Sequence, residues 1–540
     1  MTSFDRATNL ARLADETFDV LVVGGGITGA GVAVDAAVRG LRVALVERDD
    51  FASGTSSKSS KLVHGGLRYL QQREFRLVYE ALHERQRLLR NAPHLVRVLP
   101  FLIPLFGRGA ANKALARLYS TALWQYDLTG GARLGKLHER ISIEDARGHM
   151  PTLDTSKLGA AFLYYDAQAD DARLTLAIAR TAADHGAVLV NHCGVRSLTR
   201  GDGGRIDGAV LADGTQVRAA VVVNAAGVWS DDVRSLAEGV HPNSIRPAKG
   251  VHLTVPWDKV RCDIAAVLPV RKDHRSIFVV PWGDRVYVGT TDTDYDGPLE
   301  DPVCTPEDVE YVLGAINAVI DSPLKPTDVL GTWAGLRPLV KDATSARTAD
   351  LSRRHRVGVD AAGLVTVTGG KLTTYRKMAA DTVDAIERSL GRRRLFGSGS
   401  RTERLHLHGG DGVDAAKLDH LGRRYGSDGR VIRALVDEDP DLGQPLVPSL
   451  PYVRAEALYA VRDEMATTLE DVLSRRTRAL LLGRDAAARA AADVAALIAP
   501  ELGWSAAETA AQVDDFRRRV AAERDAAGLP ETALDASIGA

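Results

Sequence analysis

The chain of 540 residues contains little cysteine and almost no net charge. Its three cysteines, Cys193, Cys262 and Cys304, are odd in number and far apart, which excludes a disulfide scaffold and favours a reducing compartment. The 69 Lys and Arg balance 70 Asp and Glu to a formal charge of −1, so no overall field attracts nucleic acid. At roughly 150 residues per domain, the length predicts three or four domains with cores of their own.

Long apolar runs are also missing. A membrane-spanning helix needs ~20 consecutive apolar residues, and the nearest candidate, 96–106, is short and interrupted by Arg97, Pro100 and Pro104. The first twenty residues lack the charged, then apolar, then small-residue pattern of a secretory signal. His406 and His408 have no cysteine or carboxylate cluster near them in sequence, so we expect no metal. These absences predict an intracellular protein, soluble or attached to a surface.

A complete dinucleotide-binding pattern begins near the N-terminus. The apolar run 18–23 ends at Gly24-Gly25-Gly26-Ile27-Thr28-Gly29, a helical stretch reaches Gly40, and a second apolar run ends at Glu47. In G-x-G-x-x-G, the first glycine (Gly24) allows a tight turn, the second (Gly26) lets a pyrophosphate approach the backbone, and the third (Gly29) lets helix and strand pack closely. A carboxylate where Glu47 stands accepts hydrogen bonds from a ribose hydroxyl. We expect the amides of Ile27 and Thr28 to bind phosphate at the helix start.

A loop rich in hydroxyl side chains follows the second run. Such a loop can cradle a pyrophosphate or lie along the edge of a flavin, although serine-rich stretches are more often solvated. It leads directly into the apolar, glycine-paired sequence LVHGGLRYL, which favours packing near a ligand. The predicted cofactor contacts here are Thr55, Ser56, Ser57, Ser60, Lys61 and Leu62.

Six further motifs identify a family resemblance. They are SSKSSKLVHGGLRYL, REFRLVYEALHER, VNAAGVW, GTTDTDY, GLRPL and GGKLTTYR, in that order. Together they cover roughly residues 18 to 390 and resemble the FAD-dependent glycerol-3-phosphate dehydrogenases, which belong to the D-amino-acid-oxidase-like flavoproteins. The remaining, largely helical part looks like the extra C-terminal domain of that family. The resemblance therefore implies FAD as the cofactor.

The resemblance adds cofactor contacts beyond the N-terminal unit. The run 221–223 ends in small residues, and in similar flavoproteins the segment with Ala226 and Gly227 lies against FAD. The resemblance also implies that Val195 presents a backbone group to the adenine of FAD. Gly370, Lys371, Leu372 and Thr373 begin a helix whose positive end would stabilise the reduced flavin.

Basic residues are the candidates for binding a small anionic substrate. Arg337 precedes Pro338, which stiffens the backbone, and a guanidinium offers a planar fork for phosphate or carboxylate. The resemblance assigns this position to the substrate anion. Arg68 and Tyr69 follow the glycine pair and are expected to face the flavin. Arg353 is expected to be a second phosphate ligand, although the sequence does not decide whether Arg353 or its neighbour Arg354 faces the substrate.

The implied reaction is oxidation of sn-glycerol 3-phosphate to dihydroxyacetone phosphate. It requires transfer of a hydride from C2 to flavin N5 and removal of the hydroxyl proton by a base. His252 and His64 are both candidates for that base, and Lys371 is a candidate for stabilising the developing alkoxide. The sequence does not choose among them.

We therefore predict an α/β fold with a Rossmann-like FAD-binding domain (15–95, 155–240 and 330–390), an α+β substrate domain (96–154 and 241–329) and an all-α domain (400–525). The resemblance implies a quinone acceptor, a homodimer and peripheral attachment to the inner face of the plasma membrane. The segment 96–124 suits either an interfacial surface or a buried helix. Three alternatives remain: an oxidase that reduces O₂ to H₂O₂, a non-catalytic flavin-binding protein, and a D-amino-acid-type oxidase.

Overall fold

The computed structural model describes residues 4–67, 74–107, 109–130, 134–270, 275–341, 354–392 and 399–533. The strands in these ranges are β1 (Thr17–Val23), β2 (Val43–Val46), β3 (Leu62–Val63), β4 (Val96–Phe106), β5 (Glu139–Ile141), β6 (Leu158–Ala169), β7 (Val188–Val190), β8 (Val195–Arg200), β9 (Ile206–Leu211), β10 (Gln216–Asn224), β11 (Ile245–Pro256), β12 (Ala265–Pro269), β13 (Ser276–Trp282), β14 (Arg285–Gly289), β15 (Thr293–Asp294), β16 (Gly331–Val340), β17 (Arg356–Val359) and β18 (Val365–Thr368).

The α-helices of six or more residues lie before, between and after these strands. They are Arg6–Asp15, Ile27–Val38, Phe75–Asn91, Gly109–Thr129, Ile143–His149, Asp171–Asp184, Ser230–Glu238, Pro306–Asn317, Tyr375–Ser389, His420–Tyr425, Gly429–Glu438, Arg454–Glu464, Arg484–Leu502 and Ala506–Ala526.

The first sheet is built around the N-terminal strand–helix–strand unit. Its order is β17-β18-β10-β1-β2-β7, with β9 and β8 added antiparallel beside β10. β1 runs parallel to both of its neighbours, β2 and β10. The pairs β2–β7 and β10–β18 are parallel as well. Central parallel strands are buried on both faces, which is why residues 20–23 of β1 and all of β2 are continuous apolar runs. The helices Ile27–Val38, Asp171–Asp184 and Tyr375–Ser389 cover one face. The Rossmann-like prediction is confirmed.

The second sheet is mostly antiparallel. Its order is β15-β11-β14-β13-β12-β4-β6-β3, with β16 paired to β11 and β5 to β6. The helix Pro306–Asn317 packs against this sheet in a separate apolar core. β6 and β16 belong here, although both lie within ranges predicted for the FAD-binding domain; the boundaries themselves stay a prediction. Residues 96–124 combine strand β4 with most of the helix Gly109–Thr129, so the reading of this segment as one buried helix was wrong.

The described residues after 400 are predominantly helical and enclose an apolar core of their own. The alanine-rich sequence of 485–498 is typical of a helix, and this segment lies within the helix Arg484–Leu502. The apolar residues from Leu458 to Leu473 recur at helical spacing, which predicts one buried stripe on a single helix. The structure divides it, because Met465 adopts a left-handed conformation (φ +54°) and a π-helix follows at Asp471–Arg476. Across the described part of the chain, every helix is too short or too polar to cross a membrane.

Candidate functional site

One cavity of about 1070 Å³ lies between the two sheets. On the first sheet its wall is formed where parallel strands end: Val23 is the last residue of β1, and Glu47, Ala225 and Gly369 directly follow β2, β10 and β18. On the second sheet its wall includes Arg337 of β16. Open parallel sheets bind ligands at the carboxyl ends of their strands. The volume is at the upper end of the ~300–1,000 Å³ usual for ligand cavities, so the cavity can hold a dinucleotide and a substrate.

The glycine turn after β1 has no room for side chains. Gly24 adopts φ +114°, and a Cβ there would lie 2.7 Å from the carbonyl oxygen of Ala225. A Cβ on Gly29 would lie 1.9 Å from the carbonyl oxygen of Gly24. Gly24, Gly26, Ile27 and Thr28 line the cavity, whereas Gly29 lies behind them where the helix packs on the strand. The turn thus exposes backbone to the cavity, as binding of a pyrophosphate requires.

Glu47 is held at the cavity wall by two backbone donors. Its Oε2 accepts from the Gly25 amide at 2.6 Å and its Oε1 from the Asp49 amide at 2.9 Å. Burial raises the pKa of this carboxyl group, while the two backbone hydrogen bonds act in the opposite sense. The carboxylate therefore lies in one orientation beside the glycine turn, where a ribose would reach it.

Only one side of the serine-rich loop, residues 55–62, lines the cavity, and the other side packs against the rest of the protein. Ser56 Oγ accepts from the Ile27 amide at 2.9 Å, and Thr55 Oγ1 donates to the Leu336 carbonyl at 2.6 Å. Of the predicted cofactor contacts in this loop, Thr55, Ser56, Ser60 and Leu62 line the cavity. Ser57 and Lys61 are not on the wall. The Lys61 ammonium is buried 2.9 Å from Asp171 Oδ1 and lies over the ring of Trp333, so this side chain holds the loop from behind.

Another part of the cavity wall is formed by the segment after β18. Gly369 and Gly370 adopt positive φ angles (+72° and +83°), and the turn continues through Lys371, Leu372 and Thr373 into the helix Tyr375–Ser389. Val195, Ala226 and Gly227 also line the cavity. The side-chain-free cradle at Gly24 and the glycine pair before Lys371 fit FAD extended between them.

His64 and His252 occupy different positions. His64 lines the cavity, and its amide donates to Thr373 Oγ1 at 3.2 Å. Burial lowers the pKa of its imidazole to about 4, assisted by the charges of Lys371 and Arg85.

His252, by contrast, is 2% exposed and is not on the cavity wall. Its ring stacks on that of Trp333, with 4.7 Å between the ring centroids. Lys371 lines the cavity with His64.

A buried network fixes the turn that carries His64. The Gly65 amide donates to Tyr126 Oη at 3.0 Å, and Tyr126 donates to Asp166, which also binds Arg85. Tyr126 belongs to the helix Gly109–Thr129. Sequence reasoning missed Tyr126, Asp166 and Arg85, because they are brought to Gly65 by tertiary packing alone.

Arg337 presents its guanidinium to the cavity from β16. Its Nη1 lies 3.2 Å from Asp292 Oδ1, and its Nη2 donates to Thr290 Oγ1 at 3.2 Å. Arg275 also lines the cavity, with Nη1 2.6 Å from the carbonyl oxygen of Asp292. Sequence reasoning missed Arg275, since no motif marks it, and interpreted Asp292 only as part of a turn. The wall near Arg337 therefore carries two guanidinium groups.

Some predicted substrate residues lie outside the described residues. These are Arg68, Tyr69 and Arg353. Arg354 is described: its side chain is 56% exposed and pairs with Glu74 at 3.4 Å. Arg354 is not among the residues that line the cavity.

One cluster outside the cavity has the composition of a metal site. Oxygen or nitrogen atoms of Asp50, His192 and Asp471 lie within 4.8 Å of one another. The guanidinium of Arg475 bridges Asp50 and Asp471, and Arg476 binds Asp50 as well. Two fixed cations already balance these carboxylates, so we interpret the cluster as an ion-pair network.

Comparisons with known proteins agree with this architecture. The model of the FAD dependent oxidoreductase family matches residues 19–376, and the model described as the C-terminal domain of alpha-glycerophosphate oxidase matches residues 374–509. Glycerol-3-phosphate dehydrogenase 2 of Mycobacterium tuberculosis is 43% identical, covering 96% of this chain and 90% of the relative. The mitochondrial glycerol-3-phosphate dehydrogenase of Homo sapiens is 37% identical, covering 93% and 73%.

A solved structure is similar over nearly the whole chain. The glycerol-3-phosphate dehydrogenase of Bacillus halodurans, complexed with FAD, superposes with a TM-score of 0.76 at 30% identity. The alignment covers 97% of this chain and 98% of that one. The similarity includes the C-terminal helical part as well as both sheets.

Proposed function

The chain belongs to the family of FAD-dependent glycerol-3-phosphate dehydrogenases, and we propose that it oxidises sn-glycerol 3-phosphate to dihydroxyacetone phosphate. One observation carries this proposal: Arg337, His64 and the Gly370–Thr373 turn line the same cavity as the dinucleotide-binding glycines. A cation for the phosphate, a neutral imidazole for the proton and a cofactor site are the parts that the reaction needs.

Arg337 and Arg275 are proposed to bind the phosphate group. A guanidinium binds phosphate through two parallel N–H donors, provided that its plane is fixed. Asp292 and Thr290 orient the Arg337 guanidinium at the wall, and Asp292 also accepts from Arg275 through its backbone carbonyl. The two cations outnumber the one carboxylate, so this part of the wall favours a dianionic group.

His64 is proposed to accept the proton of the substrate hydroxyl. When bound, FAD supplies the acceptor for the hydride that leaves C2. The imidazole of His64 is neutral near pH 7, because its pKa is about 4, and a neutral imidazole can take up a proton. Lys371, whose charge already acts on His64, is proposed to stabilise the negative charge on the substrate oxygen as the proton leaves.

Apolar side chains in the cavity wall support a quinone as the next electron acceptor. Its wall is formed by Ile103, Leu105, Leu115, Val267 and Phe278. Such a surface suits a lipophilic ring better than a second phosphate compound. Reduction of O₂ to H₂O₂ is the alternative within the same family of folds.

The helix Gly109–Thr129 supports peripheral contact with a membrane. Leu118, Trp124 and Leu128 on this helix are 64%, 50% and 81% exposed. Large apolar side chains exposed on one helix suit burial at a lipid interface, with Trp favouring the headgroup level. We propose that this helix contacts the inner face of the plasma membrane. A homodimer is proposed from the family resemblance alone.

The test is an anaerobic mixing experiment. Purified protein loaded with FAD is mixed with sn-glycerol 3-phosphate, and the flavin absorbance is followed. Prompt bleaching supports the proposal, while a flavin that stays oxidised contradicts the substrate and leaves the non-catalytic flavin protein and the D-amino-acid-type oxidase as alternatives. Air and a soluble quinone are then offered separately to the reduced enzyme; rapid peroxide formation in air would favour the oxidase instead.

A further inference from the structure

The back of the serine-rich loop is held by two cations from different parts of the chain. Lys61 Nζ lies 3.0 Å from the Ser57 carbonyl oxygen and 2.9 Å from Asp171 Oδ1. Arg478 Nη2, from the C-terminal helical domain, lies 2.5 Å and 3.1 Å from the same two oxygen atoms. Lys61 and Arg478 thus converge on one pair of acceptors behind the wall of the cofactor cavity.

We propose that Arg478 is a positioning residue for the cofactor site, through which the C-terminal domain holds loop 55–62 in the conformation that binds FAD. The proposal rests on the assignment of FAD to the cavity, and it gives the C-terminal domain a role in the function proposed above.

Burial makes this arrangement sensitive to the loss of one member. The side chains of Lys61, Asp171 and Arg478 are 3%, 0% and 2% exposed. Asp170 Oδ1 lies 3.6 Å from Arg478 Nε, so two cations face two carboxylates. Removing one partner from a buried ionic group leaves an uncompensated charge, which the remaining groups relieve by moving.

The backbone of both cations is fixed in an uncommon conformation. Lys61 and Arg478 have φ angles of +54° and +71°, a left-handed region that is unfavourable for a residue with a Cβ. Such residues persist where their surroundings over-determine them. Arg478 follows the π-helix Asp471–Arg476, and its Nη1 donates to the Ser474 carbonyl at 3.1 Å. The C-terminal domain thereby orients the guanidinium through Nη1, while Nη2 contacts the loop.

The front of the same loop carries the groups that line the cavity. Asp171 also accepts from the amide and the hydroxyl of Ser59, at 2.9 and 2.7 Å. Ser56, next to the Ser57 carbonyl, binds the Ile27 amide at the start of the phosphate-binding helix. A shift of Ser57 or Ser59 would therefore move cavity-lining hydroxyl groups relative to the glycine turn.

The test compares Arg478→Lys with a matched control, Arg173→Lys. Arg173 also joins the two domains, is 5% exposed and donates to both oxygens of Glu464 at 2.7 Å, but its acceptor is in the C-terminal domain. FAD affinity is measured from flavin fluorescence, together with the visible flavin spectrum and the Tm. We expect Arg478→Lys to weaken FAD binding about tenfold, as loss of a charge-assisted hydrogen bond does, and Arg173→Lys to change it less than twofold.

A second variant keeps the proposal testable if Arg478→Lys does not fold. Asp171→Asn preserves shape and removes the charge that both cations share, so it is expected to weaken FAD binding similarly. Where both single variants fold, the double variant should lose less than the sum of the two, because they act through one set of contacts. FAD affinities of Arg478→Lys and Asp171→Asn equal to that of Arg173→Lys would overturn the proposal.

These affinities are measured without substrate. If the wild-type protein binds FAD but is not bleached by sn-glycerol 3-phosphate, the substrate proposal fails. The comparison of the FAD affinities then still decides whether Arg478 positions the loop.

Discussion

His252 Nε2 lies 2.9 Å from Ser60 Oγ, and Ser60 rather than His252 lines the cavity. Burial, together with the charges of Lys61 and Arg337, holds the pKa of the His252 imidazole well below its usual range. A neutral ring between Ser60 and the Trp333 face orients the serine hydroxyl. We therefore interpret His252 as a positioning residue and Ser60 as the group that meets the ligand.

A double-mutant cycle tests this relationship. Ser60→Ala and His252→Asn are each expected to lower kcat/KM about five- to tenfold, because a factor of this size corresponds to the loss of one hydrogen bond. The double variant should be no worse than either single variant, because His252 acts through Ser60. A further hundredfold loss from His252→Asn in the Ser60→Ala background would mean that the imidazole itself accepts the substrate proton.

Arg337→Ala is expected to lower kcat/KM for sn-glycerol 3-phosphate by about 30- to 150-fold, since ~2–3 kcal/mol of charge-assisted binding is lost. Most of the effect should appear in KM, and FAD should stay bound. Arg246→Ala is the matched control: Arg246 lies on the neighbouring strand β11 and pairs with Asp294 as Arg337 pairs with Asp292, but it does not line the cavity. Loss of flavin from Arg337→Ala would instead assign this arginine to the cofactor.

His64→Gln is expected to lower kcat by about 10²–10⁴-fold, the usual contribution of a general base, with FAD still bound. The imidazole must be neutral to accept a proton, so wild-type kcat, measured at saturating substrate, should fall only as the pH approaches about 4. A single fall near pH 6.5 would contradict the assignment.

His64→Gln should also change how the free energy of unfolding depends on pH. The pKa of His64 is about 4 in the folded chain and ~6.5 when unfolded. Between these values the unfolded chain takes up a proton that the folded chain refuses, so the free energy of unfolding decreases as the pH falls. His64→Gln should flatten this slope. His94→Gln is the control, because burial also lowers the pKa of His94 to about 4 while that residue lies off the cavity. It should flatten the slope and leave kcat unchanged.

Gly24→Ala is expected to give a protein that does not retain FAD. A methyl group there would lie 2.7 Å from the Ala225 carbonyl oxygen, so the turn must move. Gly40→Ala provides the comparison: Gly40 also has a positive φ (+80°), but no atom lies within 4 Å of the added Cβ among the described residues. It should cost ~1–2 kcal/mol of stability and keep the flavin. Equal FAD content in both variants, measured by absorbance, would contradict a role for steric clearance at Gly24.

Much of the architecture followed from local signals in the chain. The pattern from the run 18–23 to Glu47 predicted strand, turn, helix and strand, because glycine spacing and continuous apolar runs act over short distances. The family motifs predicted FAD and a helical C-terminal domain. Fold class and cofactor were therefore determined by the sequence itself.

The roles of individual polar side chains were decided only by tertiary structure. His252 and Lys61 have the chemistry of site residues, yet packing against Trp333 removes both from the wall. Arg275 and Arg478 carry no motif and gain their positions from segments distant in sequence. Local patterns specify backbone conformation, whereas the direction and charge state of a side chain depend on which distant groups bury it.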